Sequence, residues 1–114
     1  MRAERLRRTK DIEVLRSEGA LTVDPHFTIR ARPNGLDVVR VAVASPRTIG
    51  SAVRRNRARR RVREALRTLL QGRRGAAGVD LLVVARSAAL VAAPEDLRRA
   101  IAGRLEAVLG PERP

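Results

Sequence analysis

A chain of 114 residues is one ordinary domain's worth, and a hydrophobic content of 44% allows one modest core. Its 25 basic side chains against 12 acidic ones leave a formal charge of +13, which points to a polyanionic partner. The absence of cysteine excludes a disulfide framework and a thiolate metal site, and no apolar run nears the ~18–20 residues of a membrane span. The basic opening MRAERLRRTK is followed by no apolar signal core. The expectation is a soluble, cytoplasmic protein with no membrane partner and no small-molecule substrate.

Residues 1–8 read as a mobile basic arm on a single domain spanning 1–114. Thr9 is a plausible N-cap, and Asp11 and Glu13 suit the positive end of a short helix that Gly19 ends. Ile12 and Leu15 supply its inward side. A short strand follows over 20–23, then the turn signal Asp24-Pro25. FTIRAR (27–32) alternates apolar and polar residues, as a half-buried strand does. Pro33-Asn34-Gly35 has hairpin chemistry, and the valine-rich DVVRVAVA (37–44) is the return strand. A loop over 45–50 carries Arg47 to a long helix over about 53–71. Gly72, Gly75 and Gly78 then punctuate a loop holding Arg73 and Arg74. VDLLVVA (79–85) is nearly all apolar, which predicts a central strand covered on both faces. Pro94, with Glu95 and Asp96, opens a last helix that Gly110-Pro111 stops. The expected fold class is α/β, read as an α+β two-layer sandwich of order α-β-β-β-α-β-α, with helices packed on one mixed sheet.

The long helix carries the chemistry. Seven of the ten residues over 54–63 are arginine, and no acid appears before Glu64. Ala58, Val62, Ala65, Leu66 and Leu69 recur at spacings of three and four and define a buried stripe. Asn56, Arg57, Arg60, Arg63 and Arg67 fall on the far side; Arg55 and Arg59 lie near the stripe and are expected to overhang the sheet edge. Like charges three and four residues apart repel by a few tenths of a kcal/mol per pair. Cations in the first turn oppose the helix dipole by a further ~0.3–1 kcal/mol each. The placement makes sense if a polyanion covers it, and guanidinium forks suit phosphate. No side chains point to hydrolysis by this chain itself: His26 reads as a turn residue, and the acids are scattered through helices. No catalytic residue and no metal ligand is expected.

AVRRNRARRRVREAL (52–66) resembles the signature of the bacterial ribonuclease P protein family, with Arg55-Asn56-Arg57 at its centre. Arg5-Leu6, Asp11-Ile12 and Gly19 resemble the family's opening helix, RVAVASPRTIG (40–50) its strand and basic loop, and VDLLVVARSAA (79–89) its last strand. The resemblance covers about residues 5–109. It implies a left-handed crossover around the arginine helix. It also implies two partners, a catalytic RNA and precursor tRNA. The RNA removes the 5′ leader with Mg²⁺ held mainly by the RNA. The implied RNA-binding set is Arg47, Arg55, Asn56, Arg57, Arg59, Arg60 and Arg63. A cleft for the single-stranded leader would use Ile12, Arg16, Phe27 and Arg30. Many family members carry aromatics where this chain has Ile12, Arg16 and Arg30, and Phe27 is its one aromatic residue. The alternatives are a structural RNA-binding module, such as a small ribosomal protein, and a DNA-binding regulator. The hairpin-plus-crossover order argues against the regulator.

Overall fold

The computed structural model describes residues 2–71 and 78–110. The elements are β1 (Arg2–Arg5), α1 (Thr9–Glu18), β2 (Ala20–Val23), β3 (Phe27–Pro33), β4 (Val38–Ala44), a 3₁₀ turn (Arg47–Ile49), α2 (Ala52–Gln71), β5 (Val79–Ala85), α3 (Ala88–Val91) and α4 (Pro94–Leu109). They form one five-stranded sheet in the order β1-β4-β5-β3-β2. β4 runs parallel to β1 and β5, while β3 is antiparallel to β5 and β2. The expected mixed sheet and element order are present, with β1 added in front and the short α3 before the last helix. The loop expected around Arg73 and Arg74 lies outside the described residues.

The opening segment corrects the expectation of a mobile arm over 1–8. Arg2–Arg5 pair with residues 38–41 along the sheet edge. Leu6 N–H donates to Val41 O at 2.8 Å, and its side chain is buried. Burying such a side chain contributes about 1.5–3 kcal/mol, which offsets the ordering of a short charged strand.

β5 is central and covered on both faces, as its apolar run predicts. Leu81, Val83 and Ala85 join the larger layer with Ile29 and Val39, under Val62 of α2 and Ile101 of α4. Leu82 joins the smaller layer with Leu6, Leu15 and Ala42, flanked by Ile12, Ala44 and Val84. α1 packs chiefly over β3 and β5. Leu21 and Val23 of β2 stay about half exposed, at 51% and 53%.

One buried acid interrupts β5. Asp80 receives Arg40 Nε and Nη2 in a fork, both at 2.7 Å, and Asn34 Nδ2 at 2.9 Å. Arg40 also lies 3.8 Å from Asp11 of α1. The Asp80 hydrogen bond raises the Arg40 pKa above its usual value. A Cβ at Gly78 would collide with Leu36 O and Asn34 Oδ1, so glycine is required where β5 meets the β3–β4 turn.

Candidate nucleic-acid interface

α2 divides its residues as an amphipathic helix must. Ala58, Val62, Ala65, Leu66 and Leu70 are buried, with Leu69 at the margin of the stripe. Before it, Gly50 adopts φ 129°, a backbone that L side chains rarely take, and so turns the chain out of the 3₁₀ segment. Arg47 is exposed on that segment, and its carbonyl accepts Gly50 N–H at 3.0 Å. Arg47 thus stands at the N-terminal end of α2, where no acid occupies the first turn.

The arginines separate by what they meet. Arg61 Nη1 donates to Ala89 O at 2.7 Å and Leu90 O at 2.6 Å, and Nη2 donates to Ala92 O. It stitches α2 to the end of α3. Arg54 Nε donates to Ile49 O at 3.2 Å. These two residues are structural ties, and neither belongs to the predicted RNA-binding set. Arg55 and Arg59 are half-buried at the edge of the stripe, as an overhang requires. Arg59 Nη1 donates to Ser45 Oγ at 3.0 Å, and Nη2 donates to Asn56 Oδ1. Ser45 Oγ in turn donates to Arg55 O at 3.0 Å. These acceptors are neutral, so the charge is held in place but not cancelled.

Asn56, Arg57, Arg60 and Arg63 are exposed. Among the described residues, none of the six predicted RNA-binding arginines has an acid within ion-pair distance. Glu64, the one acid in this part of α2, binds Arg67 at 2.6 Å. Partial desolvation of its guanidinium pulls the Arg63 pKa below its usual value, and the guanidinium groups of Arg5 and Arg59 pull it further. Arginine stays protonated in spite of this, so the repulsion is carried by the folded chain. Arg5 belongs to this cluster, although the sequence alone places it on an arm. Only its pairing in β1 brings it to α2.

On the other side of the sheet, Ile12 packs half-buried against the smaller core layer. Arg16 lies one turn further along α1 and is exposed. Arg30 is half-buried, and its Nη1 donates to Gly19 O at 3.4 Å. These three predicted cleft residues lie together near α1. Phe27 does not join them. It is fully buried in the larger layer under α2 and α4, because odd-numbered residues of β3 face that layer and Arg30 faces the other. The cleft assignment of Phe27 is therefore wrong.

Among the described residues there is no cluster of three His, Cys, Asp or Glu side chains placed to hold a metal ion. Asp80 is bound by Arg40, and Asp24 by His26 and Arg104. Among the described residues, no set of donors fits Mg²⁺. No helix among the described residues is long and apolar enough to cross a membrane.

A family model described as Ribonuclease P matches residues 1–108. The ribonuclease P protein component of Chloroflexus aggregans is 42% identical over 93 residues, 82% of this chain and 67% of the relative. That of Herpetosiphon aurantiacus is 30% identical over 105 residues, 92% of this chain and 84% of the relative. Among solved structures, the RNase P protein from Thermotoga maritima gives a TM-score of 0.80 at 27% identity, over 93% of this chain and 98% of that one. The Staphylococcus aureus RNase P protein gives 0.76 at 19% identity, over 93% and 97%, a likeness of fold alone. Family model, relatives and fold agree with the arginine helix, and the chain belongs to the ribonuclease P protein family.

Proposed function

We propose that the chain clamps two RNAs on two faces. The outer face of α2 docks on the catalytic RNA through Arg47, Arg55, Asn56, Arg57, Arg59, Arg60 and Arg63. The α1 side of the sheet holds the 5′ leader of precursor tRNA near Ile12, Arg16 and Arg30, beside the half-exposed Leu21 and Val23. One observation carries the reading: among the described residues, a run of arginines has no acid within ion-pair distance, and Glu64, the one acid of that helix, is engaged with Arg67. Such a run destabilises the free protein and is neutralised by phosphate. The protein's part is electrostatic and positional. It lowers phosphate repulsion between the RNAs and orients the leader, while the RNA holds Mg²⁺ and carries the cut. The setting is the bacterial cytoplasm. The ribosomal-module alternative loses ground because the matched relatives are ribonuclease P components.

The leader side lacks aromatic rings. Aromatic stacking contributes ~1–3 kcal/mol per base in single-strand binders. Leader binding here falls to arginine and aliphatic surface, so it should depend less on leader sequence and more on salt.

Cleavage of precursor tRNA by a bacterial ribonuclease P RNA at low Mg²⁺ tests the reading. The protein should accelerate 5′ processing, and Arg57→Ala with Arg60→Ala should remove most of the acceleration. Arg16→Ala with Arg30→Ala should weaken binding of leader-bearing substrate more than mature tRNA. RNA binding without acceleration would favour the structural module, and equal losses on both substrates would remove the leader assignment.

A further inference from the structure

A groove of about 620 Å³ runs between β1 and α2. Val41 and Val43 of β4 form its floor with Leu66 and Leu70 of α2, and Arg5, Arg59, Arg60 and Arg63 stand around it. Two acids touch its margin. Glu4 lies opposite Arg40 in the β1–β4 register, and Glu64 is bonded to Arg67. Among the described residues, Glu64 forms its ion pair with Arg67 and not with the four rim arginines. We propose that this groove receives one unstacked nucleotide of the partner RNA, its base on the aliphatic floor and its phosphate on the arginine rim. The proposal rests on α2 being the RNA-docking face.

The two halves of the groove ask for different chemistry. A rim of guanidinium groups would accept any phosphate. The half-buried valines behind it gain only from an apolar surface. A stacked RNA helix presents phosphates and keeps its bases inside, so it cannot reach the floor. A nucleotide swung out of a loop or bulge presents both at once. Arginine planes can also stack on the base, which replaces the aromatic platform this chain lacks. The cations are already crowded: Arg5 and Arg59 disfavour the charge on Arg63, and a phosphate among them relieves that repulsion.

The full chain, labelled at its valine methyl groups, can be titrated with adenosine 5′-monophosphate and with ribose 5-phosphate. The nucleotide should shift Val41 and Val43 and leave Val23 and Val84, on the other face, in place. Burial of the base predicts a Kd about five- to tenfold below that of the sugar phosphate. Ala3→Leu adds bulk at an exposed groove position; it should erase the difference and leave ribose 5-phosphate binding intact. The wild-type comparison decides alone if that variant folds poorly. Equal affinities, or shifts confined to Val23 and Val84, overturn the proposal. Arginine protection by the ribonuclease P RNA reads the docking face separately. Protection of α2 without a preference for the nucleotide removes the groove and keeps the docking. No protection of α2 removes both.

Discussion

Arg60 and Arg61 are neighbours in sequence and opposite in role. Arg61 gives its protons to three carbonyls of the α3 segment, while Arg60 is exposed and, among the described residues, has no acid within ion-pair distance. Side-chain direction, and not residue type, separates a tie from a contact. Asp24 shows the same logic for an acid. It is buried in the β2–β3 turn and accepts His26 N–H at 2.9 Å, with His26 Nδ1 at 3.0 Å and Arg104 Nε at 3.4 Å. Burial alone would raise its pKa. The hydrogen bonds from the His26 backbone and ring and from Arg104 outweigh that and lower it from the ordinary 3.8. A carboxyl with a lowered folded pKa contributes stability above its unfolded value and loses it as pH falls through the folded one. Asp24→Asn should therefore cost about 1–3 kcal/mol at neutral pH. The penalty should shrink below pH 3.8, as wild type loses the same charge. Denaturant unfolding of both proteins across that range checks it, and a penalty independent of pH would assign the role to shape.

At the scale of elements, α2 carries a conflict between folding and binding. Arg57 has Arg54, Arg60 and Arg61 three and four residues away. Arg57→Glu turns three repulsive pairs into attractive ones and places an acid in the first turns of the helix. We expect the free protein to gain roughly 0.5–1.5 kcal/mol and its affinity for the catalytic RNA to fall. Thermal unfolding and RNA titration of the one variant should move in opposite directions; a variant that loses both would mean Arg57 is structural. Much of this helix was legible from sequence, because its apolar period and its run of arginines are local signals. So were β5 and α4, marked by an unbroken apolar run and by Pro94 and Gly110 at the helix ends. What escaped depends on contacts distant in sequence. β1 is a strand only because β4 offers it an edge. The face of Phe27 depends on which helices cover which side of the sheet. The tether of Arg61 exists only once α3 folds back against α2.

For the whole molecule, a charge of +13 sits on a body with a radius of gyration of 13.3 Å. That size is comparable with the screening length of about 8–10 Å at physiological salt. The charges therefore act collectively at low salt and nearly one by one at high salt. Engaging about five to eight phosphates predicts a log–log salt slope of roughly −3.5 to −7 for binding the catalytic RNA. Affinity measured across a salt series checks this, and a slope near zero would mean that apolar contact, not charge, holds the complex.

The central claim is that RNA lies against the exposed arginines of α2. Arginine-selective modification with phenylglyoxal, read by mass spectrometry with and without a bacterial ribonuclease P RNA, tests it most directly. Arg57, Arg60 and Arg63 should become protected, while Arg99 on α4, 73% exposed in the free protein, should stay reactive. Protection of Arg99 with the α2 arginines still reactive would contradict the account.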